Sequence, residues 1–153
     1  MSTFFTRRNL PSLLLQARES VLARDVPCLR QHELTDAQWR VLRFLGEQGS
    51  VETGRLAREA CILGPSLSGV LDRMERNGLV HRKRDPVDGR RIVVGSTTGG
   101  ARLVAKLSHC FDAHQRHIEQ TVGSHNLVTL CDLLVKLMEL EQVFKANDAV
   151  ERR

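Results

Sequence analysis

Residues 63–78 constrain the fold of this chain more than any other stretch. Gly64-Pro65 predicts a helix start, because proline fits the first helical turn, where no internal hydrogen bond is lost. Asn77-Gly78 predicts the helix end. Apolar residues with helical spacing form one buried stripe: Leu67, Val70, Leu71 and Met74. The outward residues are small at the front and basic behind, which suits entry into a DNA major groove: Ser66, Ser68, Gly69, Arg73 and Arg76.

A basic β-hairpin is predicted directly after this helix. Residues 79–84 and 90–94 read as strands, and residues 85–89, Asp-Pro-Val-Asp-Gly, have turn chemistry. Arg90 is placed to enter a narrow minor groove, where negative potential is concentrated. The alternative is a solvated basic hairpin without a ligand. The basic residues of the hairpin cluster within ten positions: Arg82, Lys83, Arg84, Arg90 and Arg91.

Composition limits the classes of protein that this chain can belong to. The 153 residues carry a net charge of +5, and the basic cluster is typical of a protein with a polyanion partner. No apolar run approaches membrane-spanning length and no signal peptide is evident, so we expect a cytoplasmic protein. The four cysteines are widely spaced and predict buried free thiols. Without a phosphate loop, zinc spacing or nucleophile elbow, we expect neither an enzyme nor a cofactor.

The remaining pattern predicts a mainly α fold with a small β-hairpin wing. Residues 9–31 form a helix that is apolar on two faces and is kinked by Pro27. Thr35 and Gln38 fit a capping box, and Val51-Glu52 can pair with the hairpin. The order is that of a winged helix-turn-helix with a helical dimerisation module. We divide one compact domain into an N-terminal arm and dimerisation helix, the winged region, and C-terminal dimerisation helices: 1–31, 32–97 and 98–153.

The terminal helices predict a homodimer. The helical regions 9–31 and 98–147 have too little winged-domain surface to bury against, so a second copy of the chain must cover them.

These motifs resemble the MarR family of bacterial winged-helix regulators over nearly the whole chain. The resemblance rests on Leu-Thr-x-x-Gln-Trp-x-Val-Leu at 34–42, on Leu-Ser-x-Val-Leu-Asp-Arg-Met-Glu-x-x-Gly-Leu-Val at 67–80, and on Arg-x-x-Asp-Pro-x-Asp-x-Arg at 82–90. Residues 9–19, 38–43 and 61–68 also resemble a narrower group, the repressors of homoprotocatechuate and 4-hydroxyphenylacetate degradation. The resemblance implies a repressor of a pseudo-palindromic double-stranded operator that is released by an aryl carboxylate.

The resemblance also places the DNA-binding residues. Pro65, Ser66, Ser68, Gly69 and Arg73 would face the groove, with Arg90 at the wing. Asp88 would orient Arg90 by an ion pair, because a carboxylate repels phosphate. Arg82, Arg84 and Arg91 would contact phosphates or flank them, and the alternative for Arg73 and Arg76 is an exposed face paired with Asp72 and Glu75.

An effector pocket is implied between the dimer helices and the winged domain. Trp39 offers an aromatic wall, and Arg40, with Arg18 and Ser20 of the first helix, offers partners for a carboxylate. His32 could hydrogen-bond a phenol. The alternative is that Trp39 is ordinary core and Arg40 forms a surface ion pair.

Two rival switches and one different class of protein remain. Cys110, His114 and His117 have a helical spacing compatible with a metal ion. Cys28, near Arg24 and Arg30, has a cationic setting that suits a redox-sensing thiol. An interaction protein that does not bind DNA is the third alternative, although it leaves the basic wing without a role.

Overall fold

A computed structural model describes the backbone of residues 9–151 and the side chains of residues 9–140. The predicted N-terminal arm, residues 1–8, lies outside the described residues. The chain divides into two compact units, residues 1–111 and 112–153. Its elements, in chain order, are α1 (Leu10–Leu22), α2 (Asp25–Gln31), α3 (Asp36–Gln48), β1 (Val51–Glu52), α4 (Thr53–Glu59), α5 (Gly64–Arg76), β2 (Val80–Arg84), β3 (Ile92–Ser96), α6 (Thr98–Val122) and α7 (Ser124–Glu151).

The region predicted as one kinked helix is two helices. Helix α1 ends at Leu22 and α2 begins at Asp25, so the break lies at Ala23-Arg24 and not at Pro27. The predicted position of the kink is therefore wrong. Pro27 sits in the first turn of α2, where the missing N–H removes no internal hydrogen bond. A proline so placed begins a helix more readily than it bends one.

The capping box that opens α3 is confirmed. The Thr35 side chain accepts from the backbone N–H of Gln38, and the Gln38 side chain accepts from the backbone N–H of Thr35 at 2.9 Å. Two backbone donors at the helix start are thereby satisfied. Gln38 is buried, and the helix carries its predicted apolar residues inward.

The short strand β1 completes a three-stranded antiparallel sheet of order β1-β3-β2. Val51 pairs with Val94, and Val80 pairs with Ser96 at the base of the hairpin. The predicted pairing of the short strand with the hairpin is confirmed, as is the mainly helical fold with a small sheet. The helices and the sheet share one core: Leu29, Val41, Leu42, Leu45, Val51, Leu56, Leu67, Val70, Leu71, Met74, Val80, Val94 and Leu107.

Thr97 joins the end of α5 to the start of α6. Its hydroxyl donates to the carbonyl of Gly78 and accepts from the backbone N–H of Gly100, and its own N–H donates to the carbonyl of Leu79. Gly100 lies so close to the Leu79 carbonyl that a Cβ there would clash with backbone. The residue after the wing thus fixes the first turn of α6 against the end of the preceding helix.

Large apolar side chains lie exposed on the helices at both ends of the described chain. Helix α1 buries none of its residues. Helix α6 ends at Val122, and Gly123 with φ 88° leads into α7. Within the described residues, no helix is both long and apolar enough to cross a bilayer. The exposed apolar residues of these helices are Leu10, Leu13, Leu14, Leu15 and Val21 in α1, and Val128, Leu130, Leu133, Val135, Leu137, Met138 and Leu140 in α7.

Candidate nucleic-acid interface and effector site

Helix α5 presents the predicted surface. Its stripe of four apolar residues is buried, with Leu67 2 % exposed and Met74 fully buried. The predicted groove-facing residues are exposed, and a Cβ added at Gly69 would meet nothing within 4 Å. The guanidinium of Arg73 folds back along the helix, where Nε donates to the Gly69 carbonyl at 3.3 Å. The front of this exposed face of α5 is therefore unobstructed and carries only small side chains.

Arg82 ties the wing to α5. Its Nη2 donates to the carboxylates of Asp72 at 2.6 Å and Glu75 at 2.7 Å, and its backbone N–H donates to Glu75 at 3.0 Å. These contacts raise the pKa of the Arg82 guanidinium, and the hydrogen bonds from Arg82 lower the pKa of Glu75 below its ordinary value. The sequence predicts that Arg82 either contacts phosphates or flanks them, and in the structure two carboxylates of α5 hold its guanidinium.

Asp85 and Asp88 shape the tip of the wing. Asp85 accepts from the backbone N–H groups of Val87 and Asp88, and these bonds lower the pKa of the Asp85 carboxyl. The Asp88 carboxylate accepts from the backbone N–H of Arg90 but forms its ion pair with Arg91 at 3.2 Å. The expected ion pair between Asp88 and Arg90 is therefore corrected, because Asp88 reaches the next arginine instead.

The three other arginines of the wing are exposed, and their side chains have different contacts: Arg84, Arg90 and Arg91. Arg91 also approaches Glu52 of β1 at 3.8 Å, and Arg84 donates weakly to the Gly89 carbonyl at 3.4 Å. In the described part of the chain, the Arg90 side chain has neither an ion pair nor a hydrogen bond. Of these three arginines, Arg90 is thus the one whose side chain has no such contact with the described residues.

Trp39 is buried and stacks on Phe111. The ring centroids lie 4.3 Å apart with an interplanar angle of 14°, and Trp39 is 6 % exposed. Stacking of this kind holds the indole in one orientation. In this structure the Trp39 ring, which is expected to contact an effector, is stacked on the ring of Phe111 within residues 1–111.

Asp36 brings two of the predicted effector residues together. Its carboxylate lies 2.8 Å from Nη2 of Arg18 in α1 and 3.1 Å from Nε of Arg40 in α3. The approach of Arg40 Nε is an ion pair without aligned hydrogen-bond geometry, since that buried nitrogen has no hydrogen-bond partner. Arg18 also pairs with Glu19 at 2.9 Å. The cluster of Arg18, Asp36 and Arg40 is half-exposed and carries one excess positive charge before Glu19 is included.

Arg40 has a second, structural set of contacts. Its Nη1 donates to the backbone carbonyls of Ala60 and Cys61, the latter at 3.0 Å. Those carbonyls belong to the turn between α4 and α5, where Cys61 has a positive φ of 50°. Arg40 therefore holds the turn of the helix-turn-helix as well as the Asp36 carboxylate.

The remaining two predicted effector residues have only local contacts. The Ser20 hydroxyl is exposed and donates to the carbonyl of Gln16 one turn earlier. His32 is half-buried where α2 ends, and its backbone N–H donates to the carbonyl of Leu29. No described contact joins either residue to the cluster of Arg18, Asp36 and Arg40.

A separate open groove lies between the start of α3 and the end of α5. Its volume is about 450 Å³. It lies beside α5, and neither Trp39 nor Arg40 lines it. Its lining is largely polar: Glu33, Thr35, Gln38, Arg73, Arg76 and Asn77.

The cysteines and histidines differ from the settings considered for the rival switches. Among the described residues, no group of three or more histidine, cysteine or acidic side chains is arranged to hold a metal ion. Burial, the contact with Cys110 and the charge of Asp25 raise the pKa of the Cys28 thiol to about 11. The cationic setting expected for Cys28 is therefore wrong, since the groups that shift its titration all disfavour the thiolate.

Sequence reasoning missed several residues that organise these sites. No role for Asp36 or Phe111 is predicted from the sequence, although Asp36 pairs with Arg18 and Arg40 and Phe111 stacks on Trp39. Asp72 and Glu75 were considered partners of neighbouring arginines on their own helix, whereas both bind Arg82. An acidic pair one turn apart on a helix, followed by an arginine in the next strand, is the signal that could have found this contact.

Comparison with known proteins agrees with this architecture. A model of the MarR family matches residues 34–92. The chain is 38% identical to the HTH-type transcriptional regulator FarR of Neisseria gonorrhoeae, over 87% of this chain and 91% of that protein. It is 37% identical to the homoprotocatechuate degradative operon repressor of Escherichia coli, over 86% and 89% of the two chains.

A solved structure shows the same fold. The crystal structure of NadR in complex with 4-hydroxyphenylacetate superposes with a TM-score of 0.80 at 37% identity, covering 90% of this chain and 97% of that one. The matched regions of all three relatives extend well beyond the winged region. The chain is therefore not an enzyme but a member of the MarR family of winged-helix transcriptional regulators.

Proposed function

We propose that this regulator is a homodimeric repressor that binds a pseudo-palindromic operator and is released from it by a small aryl carboxylate. The observation that carries the DNA half of the proposal is the joining of α5 and the wing by Arg82. With Arg82 neutralised by Asp72 and Glu75, the exposed Arg73 and Arg90 leave positive charge on the surfaces of α5 and of the wing. A helix for the major groove and a cation for the minor groove are thereby held in one unit.

The homodimer is supported by the exposed apolar residues of α1 and α7. Both helices expose a series of large apolar side chains, and large exposed apolar surfaces mark interaction sites. A palindromic operator requires two recognition helices related by a twofold axis, which a homodimer supplies. The leucines of α1 and the mixed leucine, valine and methionine residues of α7 are the surfaces that a second copy would cover.

The cluster of Arg18, Asp36 and Arg40 supports the aryl carboxylate as effector. A guanidinium offers more N–H donors than the described contacts of Arg18 use, so a ligand carboxylate can bind it beside Asp36. Asp36 itself can accept a hydrogen bond from a phenol. NadR was solved with 4-hydroxyphenylacetate, a ligand with both of these groups.

A DNA-binding experiment tests the proposal. The full chain is incubated with a fragment that carries its own promoter region, and binding is followed with and without phenylacetate or 4-hydroxyphenylacetate. We expect one protected pseudo-palindrome, a stoichiometry of two chains per site, and release by the aryl acid. A chain that binds no promoter fragment at low salt would contradict the DNA half of the proposal, and specific binding insensitive to aryl acids would contradict the effector half.

A further inference from the structure

The winged region exposes few large apolar side chains, and all of them lie on the elements proposed to contact DNA. In residues 23–121, a stretch that the structure describes throughout, the exposed ones are Leu63 in the turn before α5, and Val87 and Ile92 in the wing. Leu63 is 81 % exposed and Val87 is 95 % exposed. In the described parts of α1 and α7, which a second copy would cover, the exposure of the large apolar residues reaches only 70 %, at Met138.

Leu63 has a fixed position at the leading end of α5. It is the N-cap residue of this helix, and its carbonyl accepts a hydrogen bond from the N–H of Leu67 at 2.9 Å. On the other side of the turn, Arg40 holds the carbonyls of Ala60 and Cys61. Leu63 therefore keeps its place beside the first turn of α5 when that helix enters a groove.

The first two turns of α5 carry few groups that can tell one base from another. Arginine, lysine, asparagine and glutamine, the side chains that form bidentate hydrogen bonds with a base, are absent from residues 64–72. The hydroxyls of Ser66 and Ser68 can donate or accept, so they bind several bases. Gly69 has no side chain. An apolar contact by Leu63 is therefore the most selective contact that this end of the helix can make.

We propose that Leu63 contacts the C5-methyl group of a thymine in each operator half-site and so helps to determine which sequence the regulator selects. This assignment rests on the proposed entry of α5 into the major groove. Thymine is the DNA base that presents a methyl group there, and apolar side chains recognise it. The contact removes apolar surface of both the methyl group and the exposed leucine from water. Burial of one methyl-sized group is worth about fourfold in affinity at each half-site.

Val87 cannot take over this role. It lies at the tip of the wing, three residues before Arg90, and the wing is proposed to enter the minor groove. Thymine presents an oxygen acceptor in the minor groove, whereas its methyl group lies in the major groove. Val87 therefore provides a matched control, since it is an equally exposed apolar residue on the other DNA-facing element.

The experiment measures binding of the full chain to the protected promoter fragment while deoxyuridine replaces thymidine, one symmetric pair of positions at a time. Uracil lacks only the methyl group and keeps the base-pairing hydrogen bonds. We expect the wild type to lose affinity at one pair of positions, by about fourfold for each half-site. Leu63→Ala should bind the thymine operator more weakly than the wild type does, and should bind the thymine operator and that uracil operator equally well.

Two further variants test whether the effect belongs to the leucine side chain. Leu63→Met keeps an apolar side chain of similar volume, so it should keep the sensitivity to uracil. Val87→Ala should also keep that sensitivity. Circular dichroism checks that each variant is folded, and the exposure of Leu63 means that its truncation removes little from the core.

Three results would overturn the assignment. The wild type could be indifferent to uracil at every position, Leu63→Ala could keep the full sensitivity of the wild type, or Val87→Ala could lose it as Leu63→Ala does. A wild type that selects no promoter sequence is a different outcome, which would contradict the proposed function and this assignment together.

Discussion

The carboxylate of Glu75 accepts hydrogen bonds from both the backbone N–H and the guanidinium of Arg82, seven residues further along the chain. One side chain of the recognition helix thereby fixes both the position of a strand and the direction of its arginine. The wing cannot tilt away from α5 without breaking all of these bonds.

The first prediction concerns acid stability. Because Arg82 lowers the pKa of Glu75 below 4.5, the pair contributes stability that is complete above pH 4.5 and is lost as the pH falls through the lowered value. We expect Glu75→Gln to be less stable than the wild type at neutral pH, and the difference in Tm to shrink on acidification. Thermal unfolding from pH 7 downward measures this. A constant difference across the range would show that Glu75 acts through shape alone.

The second prediction concerns the DNA-facing cations. Arg73→Ala and Arg90→Ala should each weaken operator binding by about 1–3 kcal/mol and reduce its salt dependence, because each removes a charge from the interface. Fluorescence anisotropy with a labelled operator, repeated at several salt concentrations, measures both effects. Arg102→Ala, an exposed arginine of α6, is the matched control and should bind as the wild type does. Equal losses in all three variants would contradict the proposed surface.

The third prediction separates Arg18 from Arg40. Arg18→Ala should weaken binding of 4-hydroxyphenylacetate about 10–150-fold, the value of a charge-assisted pair, while DNA affinity is kept. The Arg18 ion pairs are exposed, so their loss should change stability little. Quenching of Trp39 emission during a titration measures the affinity. An unchanged affinity in Arg18→Ala would remove this arginine from the effector site.

The fourth prediction follows from the second set of contacts made by Arg40. Arg40→Ala frees the carbonyls of Ala60 and Cys61 in the turn before α5, so it should lower both Tm and DNA affinity as well as ligand binding. Loss of hydrogen bonds from a charged donor costs about 1.5–3 kcal/mol. Differential scanning calorimetry of Arg40→Ala beside Arg18→Ala tests this, and equal melting temperatures would contradict it.

The fifth prediction concerns assembly. Sedimentation at micromolar concentration should give a dimer, since α1 and α7 expose leucines, valines and methionine. Leu133→Glu and Met138→Glu place charge on the apolar surface of α7 and should shift the chain toward monomer. Lys106→Glu on α6 is the control for an added acidic residue. A wild type that sediments as a folded monomer would contradict the homodimer.

Local patterns were enough to predict much of the winged region. The stripe from Leu67 to Met74, the capping box of Thr35 and Gln38, and the pairing of Val51 with the hairpin each follow from the spacing of a few neighbouring residues. These features have short-range causes. A local pattern also misled, because Pro27 fits the first turn of a helix as well as it fits a kink.

The partners of the charged side chains could not be predicted in the same way. Arg82 has acidic residues on both sides in sequence, and only the folded distances show that Asp72 and Glu75 hold it. Trp39 and Phe111 are far apart in the chain, so their stacking depends on where α6 crosses α3. Cys28 has arginines nearby in sequence, but burial, Cys110 and the charge of Asp25 raise the pKa of its thiol.

The hydroxyl of Thr97 has a mechanical consequence. The hydroxyl is hydrogen-bonded both to the carbonyl of Gly78, just after the end of α5, and to the backbone N–H of Gly100 in the first turn of α6. Hydrogen bonds stretch very little before they break. A rotation of the first turn of α6 would therefore either move the Gly78 carbonyl or break these hydrogen bonds, so Thr97 couples the start of α6 mechanically to the end of α5.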